Sequence, residues 1–435
     1  MKKLLVVLMA LLFTTGAFAQ NTGAKFDYSL FGLAYGAMGS YGSGEKWDYQ
    51  HIRLRPMFTA GNENIKGVVE LEIDQTYGAN DNAGGGISER SNAITEVRQA
   101  YLQANNVFIQ GLGFTTGIVG YVYPLIADIE GAVTAASFDF GMGVANLYYL
   151  KIWEGDYLSK DTSGKTKDDA QAYILDVSIK AGDINIRPAL FYATVEKGIG
   201  VTNAKYTDLK AYMGAVNATG DMGMFDFDLT AAFLSAKNDA ALAPDKIDGS
   251  AYAFDLGVNV KPAPNMAIGI FGTYSSGVKD GKEKKFGFNE AMDMLFVNNA
   301  GSTGFDSAEG VPAGRLYLLQ QGGTHDAGGN YPSDMKYGSR IEQYGIMAAG
   351  LSFTYTMDKL TCFAQYGYVM SAKEKRDPVT GKKGDGIGSE IDVKVSYEIA
   401  PKTDLFLEYA YVMQGDDIFL KDDAQQILWG LMTQI

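Results

Sequence analysis

The chain has 435 residues, 46% hydrophobic and 20% charged, enough apolar material to exclude an intrinsically disordered protein. A net charge of −14 argues against a nucleic-acid partner, which selects a basic surface. One cysteine excludes a disulfide framework, and Cys362, His51 and His325 are too few soft ligands for a zinc site, so neither metal nor cofactor is expected.

The N-terminus reads as an address. Lys2 and Lys3 are followed by an apolar stretch from Leu4 to Phe13 and by the small-residue site Ala17-Phe18-Ala19. That is the pattern of a secretory signal peptide over residues 1–19. Its removal leaves 20–435 and takes the charge from −14 to −16, since two lysines go with it. The one later candidate for a membrane helix is the uncharged run from Gln99 to Ala127. It holds Asn105, Asn106, Gln110 and Pro124 among its glycines, too polar for the roughly 20 apolar residues a spanning helix needs, and reads as strand and loop.

The rest of the chain alternates with period two. Val69, Leu71 and Ile73 oppose Glu70, Glu72 and Asp74; Phe225, Phe227 and Leu229 oppose Asp226, Asp228 and Thr230; Ile391, Val393 and Val395 oppose Glu390, Asp392 and Lys394. Tyr252, Phe254, Leu256 and Val258 likewise oppose Asp255 and its neighbours. Strict alternation means strands with one apolar and one polar face. With charges on so many polar faces there is no second buried core for a sandwich to use. An all-β fold closed on itself, apolar outside and polar inside, fits: an antiparallel transmembrane β-barrel of the outer membrane.

Eighteen strands are predicted, over 26–38, 48–60, 65–77, 93–104, 107–120, 132–140, 143–153, 171–181, 184–196, 209–219, 225–236, 251–262, 266–276, 341–356, 360–372, 389–399, 403–414 and 426–435. The even joins are short, as at Gly182-Asp183 and Pro401-Lys402; the odd joins are long and rich in Gly, Asp, Lys and Ser. Short periplasmic turns alternating with long external loops are the rhythm of such barrels, and an even strand number puts both termini on the periplasmic side. The first strand and the one from Lys210 to Gly220 alternate poorly, so sixteen is the alternative count. On the fourth strand Gln99 and Gln103 share a face with Val97 against Glu96 and Arg98, which points two glutamines at lipid unless a bulge intervenes. The terminal strand is apolar through Ile427, Trp429, Leu431 and Ile435, as closure onto the first strand requires.

The run Gly388-Ser389-Glu390-Ile391-Asp392-Val393, with Tyr397, Ala410-Tyr411 and Gly415-Asp416, resembles the C-terminal signature of alginate-export-type outer-membrane porins, and Glu96-Val97-Arg98-Gln99-Ala100-Tyr101-Leu102 resembles another strand of that group. The resemblance implies an eighteen-stranded porin. It does not extend to alginate, because a polyanion channel wants a cationic lining. The expected lumen holds Arg53, Arg55, Arg98, Arg187, Lys151, Lys180, Lys261 and Lys394 against a larger number of acids.

The predicted pore-lining residues are Arg53, Arg55, Glu70, Glu72, Asp74, Glu96, Arg98, Asp176, Arg187, Asp226, Asp228, Asp255, Glu390, Asp392, Lys394 and Glu408. Arg53 and Arg55 lie on one face; with Arg98 and Arg187 opposite the acids they would set a transverse field across a pore. Plain pairing inside the barrel is the alternative. No catalytic constellation is evident, and Cys362 reads as a small apolar residue. The expected partners are outer-membrane lipid and small hydrophilic solutes or ions. The function classes left are a passive diffusion channel, a receptor or scaffold with an occluded lumen, and a polysaccharide-export channel. The long external segment 276–340 carries apolar clusters, at Phe286–Val297 with a short helix over Asn289–Asn299 and at Leu316–Leu319, and is expected to fold inward across the mouth rather than expose them.

Overall fold

A computed structural model describes residues 25–42, 45–78, 94–124, 127–153, 170–195, 209–238, 248–278, 316–319, 344–376, 380–416, 420 and 422–435. The proposed signal peptide and the proposed helix over Asn289–Asn299 lie outside these residues.

Among the described residues eighteen strands, β1 (Lys25–Tyr41) through β18 (Ala424–Gln434), each pair antiparallel with the next, and β18 pairs with β1. The sheet therefore closes on itself and leaves no strand edge unpaired. The seam runs from Phe31 opposite Gln434 to Tyr41 opposite Ala424. Gly36 faces Trp429 across it. A Cβ on Gly36 would come within 2.7 Å of the indole Cε2, so the glycine is what lets the aromatic lie flat over the closing pair.

Side-chain alternation sorts the wall as the apolar pattern demands. On β12 (Asp248–Ala263), Tyr252, Phe254 and Val260 are exposed outward, while Ala251, Ala253 and Asp255 are buried inward. On β18, Ile427 and Trp429 face out and Gln426 and Leu428 face in. Both poorly alternating strands exist: β1, and β10 over Leu209–Asp221, so the count is eighteen and not sixteen.

Two sequence expectations need correction, and the bulge that the sequence left open on the fourth strand is present. β5 covers Leu112–Tyr123, not 107–120. Val107, Phe108 and Ile109 look like strand but form a turn, with positive φ at Asn106, Phe108 and Gly111 and the Gly111 N–H donating to Asn106 Oδ1 at 2.9 Å. The odd joins are not all long, since β1 meets β2 (Glu45–Gly61) across 42–44, and β5 meets β6 (Ala127–Asp139) across 124–126. On β4 (Ile94–Ala104) the ladder with β3 (Ile65–Gly78) shifts register at Arg98: Glu70 pairs with Gln99, and Leu71 pairs with Val97. The extra residue turns Gln99 inward, where its amide donates to Glu70 Oε2, while Val97 and Leu102 face out. The bulge removes the two glutamines from the lipid face.

Candidate functional site: the barrel lumen

The inward face divides into sectors. In the first, Glu72 on β3 receives three guanidinium groups. Arg55 of β2 bonds it through Nε, Arg53 Nε lies 3.5 Å from Oε1, and Arg98 Nη1 lies 3.3 Å from Oε2. The carboxylate side chain is 4% exposed. Alternation aims Arg53 and Arg55 at one face from β2, and the β4 bulge adds Arg98 from the other side. Three guanidinium groups thus share one buried carboxylate, and Glu70 of the same strand also faces inward beside them. Asp74 and Glu96 occupy strand positions in β3 and β4, opposite Ile94 and Glu72 respectively, and their side chains lie outside the described set.

The second sector centres on β8 (Ala170–Ala181) and β9 (Ile184–Val195). Arg187 holds Asp176 with Nε 3.0 Å from Oδ1, and its guanidinium lies 4.7 Å from the Tyr123 ring centroid and 5.7 Å from that of Tyr121. Tyr121 donates its hydroxyl to Asp176 Oδ2 at 3.3 Å, and Tyr123 donates to the Arg187 carbonyl. Arg187 therefore does not join the Arg53–Arg55–Arg98 set; it is paired on a distant part of the wall. Sequence reading missed the two tyrosines because it ended that strand at 120.

On β11 (Phe225–Asn238) and β12 the inward face carries Asp226, Asp228, Thr230 and Asp255 toward one end, and the apolar Ala232, Leu234, Ala236, Ala251 and Ala253 toward the other. Asp255 accepts from Thr273 Oγ1 at 2.6 Å, and Asp226 is held by Lys261 at 3.0 Å and by Asn259 at 2.7 Å. This sector lies nearly opposite β2–β4 in an eighteen-strand ring. Lys180 faces inward as expected. Lys151 does not: on β7 (Gly143–Trp153) Tyr148 and Leu150 take the inward positions, and Lys151 shares the outward face with Leu147 and Tyr149.

The remaining sector, β13 (Met266–Ser275) through β18 with β1 and β2, is largely apolar inside. Leu33, Tyr35, Tyr49, Phe406, Val412 and Leu428 belong to one buried cluster. Leu316, Leu318 and Leu319 of the turn 316–319 join it, at 0%, 1% and 2% exposure. This turn thus enters the barrel. It is held there by β16 (Lys383–Ala400): Glu390 accepts the backbone N–H groups of Leu318 at 2.6 Å and Leu319 at 2.7 Å, and Asp392 accepts that of Tyr317 at 3.3 Å. Gly367 on β15 (Leu360–Arg376), opposite Glu390, leaves the recess for Leu316, since a Cβ there would stand 2.7 Å from Leu316 Cδ1. Tyr317 lies 6.4 Å from Phe363, ring to ring, and its phenol is pushed up by burial and by Glu408, Asp392 and Glu390, so it stays protonated. Lys394 pairs with Glu408 of β17 (Thr403–Gln414) at 2.6 Å, and Gln365 donates to Asp392 at 2.7 Å. Glu390 and Asp392, expected as open lining, are therefore anchors of the inserted turn. Among the described residues no group of His, Cys, Asp and Glu is arranged to hold a metal ion.

No family model matches the chain, and no curated protein matches it. Solved structures do. Pseudomonas aeruginosa OccK8 (OprE) aligns with a TM-score of 0.56 at 9% identity, over 94% of this chain and 98% of its own. Acinetobacter baumannii OccAB3 aligns with a TM-score of 0.55 at 9% identity, over 94% of this chain and 100% of its own. P. aeruginosa OpdQ gives 0.54 at 12% identity, over 95% and 98%. At such identities the likeness is one of fold.

Proposed function

We propose that this chain is an outer-membrane channel for passive diffusion of small hydrophilic solutes, delivered by its signal peptide and set with both termini on the periplasmic side. The observation that carries this reading is a closed eighteen-strand barrel with an apolar exterior and charged inward sectors. Barrels of about sixteen to eighteen strands are wide enough for an aqueous path, whereas eight strands are filled by their own side chains. The Arg53–Arg55–Arg98 group and the Asp226–Asp228–Asp255 wall lie on opposing sectors, so a solute between them experiences a transverse field.

The turn at 316–319 narrows the path from the β15–β16 side, and the segment 276–340 acts as a constriction. Alginate is not the proposed solute, because the inward cations are outnumbered and are bonded to carboxylates. The apolar sector favours a second reading, a barrel occluded enough to serve as a receptor or scaffold. Single-channel recording in a planar bilayer separates the two: discrete ohmic steps support the channel, and their absence from folded protein supports the occluded barrel. Removing residues 280–333 raises the step size if the segment constricts, and leaves it unchanged if it does not.

A further inference from the structure

Every strand has a neighbour on each side, but one hairpin is joined to its neighbours along only its lower part. β5 and β6 pair with each other up to Tyr123 opposite Ala127. The β4–β5 ladder ends lower, at Ala100 opposite Ile118, although β4 runs on to Ile94. On the other side the β6–β7 ladder ends at Ala132 opposite Lys151. Among the described residues, the upper hairpin over 119–131 therefore has no ladder to either flanking strand.

Its two tyrosines show where it goes. Tyr121 donates to Asp176 on β8 at 3.3 Å, and its ring lies 6.1 Å from that of Phe191 on β9. Tyr123 lies 5.7 Å from the same ring and bonds the Arg187 carbonyl on β9. Along the wall β9 stands four strand spacings from β5, about 19 Å, which is further than a tyrosine side chain extends. The upper hairpin has therefore left the wall and lies inside it, across β8 and β9.

Its departure leaves a seam on the β4 side. Val97 and Val122 face out and are exposed above the last β4–β5 pair, and Leu102 and Phe114 below it, so hydrocarbon lies outside the seam. On the lumen side stands Gln99, its amide on Glu70. Gly120 has no side chain to fill the space between; a Cβ there would meet only Gln99, with Nε2 at 3.8 Å and Cδ at 3.9 Å. Backbone polar groups cannot face hydrocarbon unmet, so the lumen and the Gln99 amide, rather than lipid, must satisfy this edge of β4. Lipid and lumen thus meet here without a ladder between them. A molecule with a polar head and an apolar chain suits both sides, its head by Gln99 and its chain past Val97 and Val122. With Gln99 so close to Gly120, the seam passes one alkyl chain and not a two-chain lipid.

We propose that, given the water-filled lumen of the channel reading, the seam between β4 and β5 is a lateral portal through which single-chain amphiphiles pass between lumen and bilayer. The test uses the whole barrel in proteoliposomes, with the one native cysteine removed by Cys362→Ala. Val119→Cys puts a thiol on the lumen side of the seam, since alternation sets Val119 opposite in sense to the outward Ile118. Ser352→Cys puts one on the inward face of β14 (Ile346–Met357), far from the seam. Each is treated with N-dodecylmaleimide, whose chain confines it to the bilayer, and with a sulfonated, water-soluble maleimide, and labelling is read by intact mass. The expected ratio of lipid-borne to soluble labelling rate is at least about tenfold higher at Val119→Cys than at Ser352→Cys, because only the seam meets the bilayer. Gly120→Leu, which fills the seam, removes that difference and leaves the single-channel step unchanged. Equal ratios at the two positions, in barrels with the same β-sheet circular dichroism, overturn the portal while leaving the channel reading intact. An undiminished ratio in Gly120→Leu overturns the seam as the route. Failure of the soluble reagent at both positions refutes the water-filled lumen, and the portal with it.

Discussion

Replacing Glu390 by Ala tests whether the inserted turn depends on its carboxylate anchor. Burial of Leu316, Leu318 and Leu319 contributes about 1.5–3 kcal/mol each, or about 5–9 kcal/mol together. Ordering the backbone of the four residues 316–319 costs about 4–8 kcal/mol. These two nearly cancel, so the hydrogen bonds decide whether the turn stays docked. Glu390→Ala strands the N–H groups of Leu318 and Leu319 against an apolar wall. Each unmet group costs about 1–3 kcal/mol, a loss of about 2–6 kcal/mol that is enough to release the turn. Glu390→Gln keeps one acceptor oxygen and is expected to lose about half as much. In single-channel recordings Glu390→Ala should show larger steps than the parent, with Glu390→Gln between them, and the same ordering should follow from Leu318→Asp. A Glu390→Ala barrel that folds and conducts in steps identical to the parent would refute the anchoring argument.

The other lumen clusters give sharper single outcomes. Replacing both Arg53 and Arg55 by Ala leaves Glu72 bonded to Arg98, so the barrel should fold while the reversal potential in a salt gradient moves toward cations; no movement would show that the arginine sector does not face the conducting path. Asp176→Ala leaves the half-buried Arg187 against the Tyr121 and Tyr123 rings without its carboxylate, and should lower stability by about 3–5 kcal/mol, read as a drop in the temperature of the heat-induced gel shift. Gly36→Val drives a branched side chain into Trp429 at the β1–β18 seam and should cost about 1–3 kcal/mol in the same assay, with a matching change in Trp fluorescence.

Period-two patterning was enough to determine the barrel and most of its inward charges, because a strand buried in lipid on one side and water on the other must alternate at every residue. Asp226, Asp228, Asp255 and Lys394 were legible for that reason. The pattern was silent where both faces are apolar: Leu33 and Tyr35 on β1, or Leu428 against Trp429 on β18, alternate apolar with apolar, because a neighbouring sector and an inserted turn take the place of water inside. Local backbone geometry escaped it too, since one residue of bulge at Arg98 reverses every position after it, and a positive φ at Phe108 makes a turn of residues that look like strand. Partners were beyond it altogether. That Glu72 collects three arginines, that Arg187 goes instead to Asp176 between two tyrosines, and that Glu390 ends in the backbone of a turn some seventy residues earlier in the chain are consequences of register around a closed ring. Alternation says which way a side chain points; only closure says what it meets.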